Sequence, residues 1–145
     1  MTKLNEIQQK LKAPKSQNND FGKYKYRSCE DILEAVKPLL GESVLTLSDE
    51  MVEVGGRVYV KALATLTDGA SVKMVTAYAR EAEDKKGMDA AQITGAASSY
   101  ARKYCLSGLF LCDNAPDADA TNTHGKDSKP LEAKPTVGID ESCPF

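Results

Sequence analysis

The sequence predicts an α+β fold in which an antiparallel three-stranded β-meander packs against a long C-terminal helix, with a helical region at the N-terminal end. Between residues 43 and 80, apolar and polar residues alternate with a period of two, and Gly-Gly and Asp-Gly pairs divide the alternation into three segments. From Asp89 onward, apolar and small residues recur at helical spacing instead. The chain has 145 residues, which is enough for one domain followed by a tail.

A short amphipathic helix is predicted at the start of the chain. Leu4, Ile7 and Leu11 recur at helical spacing within residues 2–12, and a Pro-containing polar run then interrupts the pattern. Residues 1–20 are therefore assigned to an N-terminal helix and linker.

A second helix is predicted for residues 28–40. Ser28 is a favourable N-cap, acidic residues occupy the first turn, and Gly41 is a favourable stop. Its apolar stripe, which we expect to be buried, comprises Ile32, Leu33, Val36, Leu39 and Leu40.

Three strands are predicted for residues 44–54, 57–67 and 71–80. In the middle strand, one face is apolar and the other is polar, because successive side chains point to opposite sides. The apolar face carries Val58, Val60, Ala62, Ala64 and Leu66, and the polar face carries Arg57, Tyr59 and Lys61.

The last helix is predicted to begin at the N-cap Asp89 and to run to about Leu106 or slightly beyond. Projected at about 100° per residue, it divides into two faces. The face expected to contact the sheet comprises Ala90, Ile93, Ala97, Tyr100, Ala101 and Tyr104. The opposite face comprises Gln92, Gly95, Ser98, Ser99, Arg102 and Lys103.

Charge is strongly segregated along the chain although the net charge is only −2. Residues 1–27 carry seven Lys and Arg against two acids, and residues 57–112 carry eight against five. The segment 28–56 is acidic, as are residues 114–145, which we expect to form a flexible tail because they contain almost no large apolar residues. Local basic patches are therefore better guides to partners than the total charge.

The cysteines and the single histidine do not predict a metal site, since no CxxC spacing occurs. Neither a signal peptide nor a membrane-spanning run is predicted, so we expect a cytoplasmic protein with reduced thiols and no membrane partner. No cofactor is expected. In particular, the ATP-binding pattern GxxxxGK[ST] does not occur.

Three patches combine cations with aromatic or small residues, as expected for a groove that follows a sugar-phosphate backbone. The candidate DNA-binding residues are Lys23, Tyr24, Lys25, Tyr26, Arg27, Arg57, Tyr59, Lys61, Arg80, Gln92, Ser99, Arg102 and Lys103. Each patch also has a purely structural interpretation. Tyr24 and Tyr26 would then be core anchors for the helix that follows. The sheet residues would form an ordinary exposed face, and Gly95 and Ser99 would allow another helix to pack closely.

These motifs resemble the ERF (essential recombination function) family of phage single-strand annealing proteins. The resemblance covers residues 21–119 and is carried mainly by FGKYKYRS at 21–28 and QITGAASSYARKY at 92–104. It implies a core domain at 21–113 that binds single-stranded DNA, pairs complementary strands without ATP and assembles into rings or filaments. It also implies the fold of the eukaryotic annealing protein of recombination, with Arg57, Lys61, Arg102 and Lys103 lining the groove by analogy.

The segment 138-GIDESCPF-145 resembles the acidic tip of bacterial single-stranded-DNA-binding proteins, which docks on replication and repair partners. Phe145 after Pro144 would supply an apolar plug, and Asp140 and Glu141 would complement a basic pocket rim. We therefore expect this tip to contact host proteins that receive such tails.

Two other functions remain open at this point. A passive module would coat single strands without annealing them, and a nuclease would use Asp113, Asp117 and Asp119 as metal ligands. We expect a protein that is not an enzyme, because these acids have no histidine partner within the core domain.

Overall fold

The computed structural model describes residues 1–112, which form a three-stranded antiparallel sheet with helices on one face. The predicted tail at 114–145, with Asp140, Glu141, Pro144 and Phe145, lies outside these residues. The elements are α1 (Lys3–Lys10), β1 (Gln17–Asn19), β2 (Tyr24–Tyr26), α2 (Cys29–Leu40), β3 (Val44–Val54), β4 (Arg57–Asp68), β5 (Ser71–Arg80) and α3 (Ala90–Phe110).

The predicted meander is confirmed. The strand order is β3–β4–β5, and both neighbours pair antiparallel with β4. The inner face of β4 is buried through Val60, Ala62, Ala64 and Leu66, as the alternation predicted. We call the other side of the sheet the outer face; none of the described helices covers it.

Both predicted N-caps are confirmed, and each belongs to a capping box. The Ser28 hydroxyl accepts the backbone N–H of Asp31 at 3.1 Å, and the Asp31 carboxylate accepts the N–H of Ser28 at 2.8 Å. Asp89 accepts from the N–H of Gln92 at 2.8 Å, while the Gln92 side chain accepts from Asp89 N–H at 3.0 Å. Gly41 ends α2 with a φ of +59°, a conformation that favours glycine.

A small hairpin was missed by the sequence analysis, which assigned residues 13–20 to a linker. β1 and β2 pair antiparallel from Gln17 opposite Tyr26 to Asn19 opposite Tyr24. The turn is closed by the Asn19 side chain, whose oxygen accepts from the N–H groups of Phe21 and Gly22 at 3.0 and 2.9 Å. Three-residue strands are too short for period-two alternation to stand out, so the Asn-Asp turn was the only available signal.

Helix α3 extends to Phe110, in keeping with an end predicted at about Leu106 or slightly beyond. Its last turns are buried on a different side from its first turns: Leu106, Leu109 and Phe110 join Ile7 of α1 and Ile32 of α2 in the core. The prediction considered only the stripe that faces the sheet and did not identify these residues as contacts of α1 and α2.

Ser98 and Arg102 of α3 are both tied to Asp49 of β3. Arg102 Nε donates to Asp49 Oδ1 at 2.9 Å, and the Ser98 hydroxyl donates to the same carboxylate. Burial raises the pKa of Asp49, but the hydrogen bonds and the positive charge of Arg102 outweigh it, and the pKa lies below its ordinary value. The carboxylate thus fixes one flank of α3 against the sheet.

We expect Asp49→Asn to lower the free energy of unfolding by about 1 kcal/mol at neutral pH, because the ion pair is lost. The folded pKa of Asp49 is depressed, so this contribution is present above the unfolded pKa and disappears as the pH falls through the folded pKa. Urea denaturation of the two proteins at neutral and acidic pH measures the difference. Glu53→Gln, an exposed β3 position, is the control and should change little. Equal destabilisation by Asp49→Asn at both pH values would contradict this account.

Candidate nucleic-acid interface

A lysine and three tyrosines meet beside the middle of α3; we call them the tyrosine–lysine cluster. Lys103 Nζ lies 5.3 Å from the ring centroid of Tyr100, 5.9 Å from that of Tyr104 and 5.8 Å from that of Tyr26. The rings of Tyr100 and Tyr104 are stacked, with centroids 6.2 Å apart and planes inclined by 30°. This arrangement places a positive charge beside several aromatic faces, the combination that single-stranded nucleic acids engage.

The prediction that Tyr100 and Tyr104 face the sheet is wrong, since their exposed fractions are 51% and 48%. The stripe of α3 against the sheet instead runs through the smaller residues Ile93, Ala97, Ala101 and Cys105. Small side chains allow the helix to approach closely, and the bulkier tyrosines then project from the margin of the contact. Their spacing of four residues places them one above the other on the helix surface.

Positive charges from other segments surround Lys103. Burial lowers the pKa of Lys103, and the nearby charges of Arg27 and Lys15 lower it further. Arg27 is itself buried, and its Nη1 donates to the carbonyl oxygen of Cys112 at 2.9 Å. Its Nε has no hydrogen-bond partner among residues 1–112. Arg27 therefore acts on the cluster by its charge from the interior and is not a surface contact.

Arg102, the neighbour of Lys103 in sequence, points to a different flank of α3. Its guanidinium is paired with Asp49, and this pairing raises the pKa of Arg102 above its ordinary value. The predicted pair of adjacent phosphate-binding cations is thus divided in space. Lys103 joins the tyrosines, whereas the charge of Arg102 is balanced by a carboxylate.

The predicted cations of the sheet, Arg57, Lys61 and Arg80, lie on its outer face, as the alternation predicted for Arg57 and Lys61. Tyr59 pairs with Arg80 and Lys61 pairs with Tyr78 across β4 and β5. Lys61 also contacts Glu50 at 3.5 Å. α3 covers the inner face, where Arg102 contacts Asp49, so Arg102 and Lys61 of the central strand lie on opposite sides of the sheet.

A cavity of about 420 Å³, which we call the edge pocket, lies between the end of β5, the loop 81–89 and α3. Its lining includes Tyr78 and Arg80 at the end of β5 and Tyr100 and Tyr104 of α3. Arg80 also lines a smaller cavity of about 150 Å³ next to Arg57, where Glu81 and Glu83 supply negative charge. Arg80 therefore connects the β3–β4 turn to the tyrosines of α3.

The remaining predicted residues are dispersed. Lys23 and Lys25 are exposed on the β1–β2 hairpin, and Tyr24 pairs through its backbone with Asn19. Gln92 is engaged in the capping box of α3, and Ser99 is exposed on the side of α3 away from the sheet. The sequence analysis missed Tyr78 and Lys85 in the edge pocket. Tyr78 shares the outer-face alternation of Arg80, and this was the available signal.

Neither a metal centre nor a membrane span is found in the part of the chain that the structure describes. No three His, Cys, Asp or Glu residues within 1–112 come together in a way that would hold a metal ion. Asp113, Asp117 and Asp119 lie outside that range. None of the described helices combines the length and the apolar character needed to cross a bilayer.

Comparisons with known proteins identify one family. The model of the ERF superfamily matches residues 1–139. The Essential recombination function protein of Salmonella phage P22 is 62% identical over 140 residues, which cover 97% of this chain and 68% of that protein. No solved structure matches the chain, so the fold of the eukaryotic annealing protein stays a prediction.

Proposed function

The chain belongs to the ERF superfamily, and from this membership and the tyrosine–lysine cluster we propose that it binds single-stranded DNA and anneals complementary strands without ATP during phage recombination. The relative from phage P22 is named for an essential recombination function, which supports a role in recombination. We place this activity in the cytoplasm of the infected host.

The observation that carries the proposal is the position of Lys103 among three tyrosine rings, at 5.3 to 5.9 Å. Two DNA strands repel each other through their phosphates, so annealing needs a surface that neutralises the backbone. The same surface must leave most bases free to find their complements. Lys103 offers the charge and the tyrosines offer stacking faces that accept any base.

Assembly into a ring or filament is part of the proposal. Apolar side chains are exposed on the outer face of the sheet, among them Val44 at 57%, Val72 at 52% and Met74 at 65%. Within the described residues, β3 and β5 each pair with β4 alone, which leaves one edge of each strand open. Open strand edges and exposed apolar residues favour contact with further copies. Assembly would also bring outer-face cations of one copy near α3 of another.

We expect Lys103→Ala to weaken binding to single-stranded DNA and to reduce the slope of log K against log salt by about 0.7 for each phosphate that the variant no longer binds. Fluorescence anisotropy of a labelled oligonucleotide over a salt series measures both quantities. Lys73→Ala is the matched control, because Lys73 is exposed at the opposite end of β5 from the edge pocket. An unchanged slope in Lys103→Ala would remove Lys103 from the interface, and a reduced slope in Arg102→Ala would add Arg102 to it.

An annealing assay separates the proposed function from its alternatives. We expect the protein without ATP to accelerate pairing of complementary oligonucleotides, because it offsets phosphate repulsion, and Lys103→Ala to accelerate it less. Native mass spectrometry of the free and DNA-bound protein reports the assembly. Binding without acceleration would favour passive coating. Cleavage of labelled DNA with Mg²⁺ would favour the nuclease.

The segment 138–145 leads us to propose a second interaction, with host proteins that receive the acidic tail of single-stranded-DNA-binding protein. We expect deletion of Pro144 and Phe145 to abolish such binding and to leave annealing unchanged, because the apolar plug is removed while the core domain is intact. Calorimetric titration with a purified host protein of this kind measures it. Alanine at Thr136 and Val137 is the control. Equal binding by the truncated chain would contradict the docking role.

A further inference from the structure

We propose that the edge pocket holds one unstacked nucleobase of the bound strand, stacked on the exposed ring of Tyr100 of α3 beside the end of β5. The proposal rests on the function proposed above and specifies how the strand is held. It assigns a role to Tyr78, Tyr100 and Tyr104 that the phosphate-binding charge of Lys103 does not supply.

The composition of the pocket suits a flat ligand that has apolar faces and is attached to a negatively charged group. Its floor includes Ile93 and Ala97, which are only 7% and 5% exposed. Tyr100 and Tyr104 of α3 and Tyr78 of β5 are among its lining residues, and two cations, Arg80 and Lys85, line it as well. A base is apolar on its faces and is always joined to phosphates, so this combination of walls and cations complements a nucleotide.

The pocket is continuous with the tyrosine–lysine cluster. Tyr100 and Tyr104 line the pocket and also lie 5.3 and 5.9 Å from Lys103 Nζ. A strand whose phosphate contacts Lys103 therefore reaches the pocket with an adjacent base. The cluster and the pocket together form a site for a phosphate and a neighbouring base.

The side chains of the pocket cannot distinguish one base from another by a set of paired hydrogen bonds. No Asn, Gln, Asp or Glu side chain lines it among the described residues, and its polar groups are three phenols and two cations. Stacking on an aromatic ring tolerates every base. A protein that pairs strands of any sequence requires such tolerance, whereas a base-reading pocket would restrict it.

The three tyrosines are about half exposed, at 50% for Tyr78, 51% for Tyr100 and 48% for Tyr104. Large aromatic faces left in water favour the burial of a further apolar group against them. The walls come from the end of β5, the loop 81–89 and α3, and the half-exposed tyrosine rings are open to an entering base. The same surface is compatible with a side chain from a neighbouring copy, and the experiment below distinguishes that occupant.

The test compares an oligothymidylate with an abasic oligonucleotide of the same length, which carries the same phosphates without bases. We expect the wild-type protein to bind the base-bearing strand about fivefold more tightly or better, because the abasic strand cannot stack. Tyr100→Ala should remove most of this difference while leaving the salt slope unchanged. Tyr100→Phe, which keeps the ring, should restore the difference, and Lys73→Ala, at the end of β5 away from the edge pocket, should not alter it.

Each outcome separates the pocket from the function on which it rests. Equal binding of both strands by the wild-type protein would overturn the pocket while leaving phosphate binding intact. No binding of either strand at low salt would overturn both proposals. If Tyr100→Ala changes only the mass of the assembly and not base-dependent binding, the pocket receives a neighbouring copy and the proposal is wrong.

Discussion

The close contact between α3 and the inner face of the sheet determines where the functional side chains lie. Ala62 and Ala64 of β4 are fully buried, and Ala97 and Ala101 of α3 are buried with them in one core. Cys105 Sγ reaches the carbonyl oxygen of Val75 at 2.9 Å, which indicates how near the helix comes to β5. Small residues on both surfaces permit this approach. The tyrosines of α3 have no room beneath the helix and project beyond the edge of β5.

The second half of α3 fixes the N-terminal segments beside this contact. Leu106, Leu109 and Phe110 are enclosed with residues of α1 and α2, and the Gln8 side chain donates to the Leu109 carbonyl oxygen at 2.9 Å. Arg27, which joins β2 to α2, is tied to Cys112 at the end of α3. These contacts bring Tyr26 beside Lys103 although the two residues are distant in sequence. One helix thus organises both the core and the candidate interface.

The sequence was sufficient to predict features that depend on local periodicity. It was not sufficient to predict which side chains lie at the edge of the contact between a helix and the sheet. Alternation located all three strands of the meander, and capping chemistry located the starts of α2 and α3. The helical projection treated Tyr100 and Tyr104 as core because it takes no account of the width of the sheet beneath them. It also placed Arg102 and Lys103 together, since adjacent residues of a helix differ by only about 100°. In the structure, Arg102 pairs with Asp49 whereas Lys103 joins the tyrosines. A carboxylate partner that is distant in sequence cannot be predicted from periodicity.

The electrostatics of Lys103 give a physical reason for its position. Burial and the charges of Arg27 and Lys15 lower its pKa, which means that its protonated form is held at a cost in the free protein. Part of the desolvation that a phosphate contact requires has therefore already occurred on folding. A phosphate placed beside Lys103 would reduce the repulsion among the three cations, in surroundings where water screens the attraction less than at an open surface. Asp49 pairs with Arg102 on the other flank of α3 and not with Lys103. A carboxylate beside Lys103 would neutralise the positive charge that we expect the DNA backbone to neutralise.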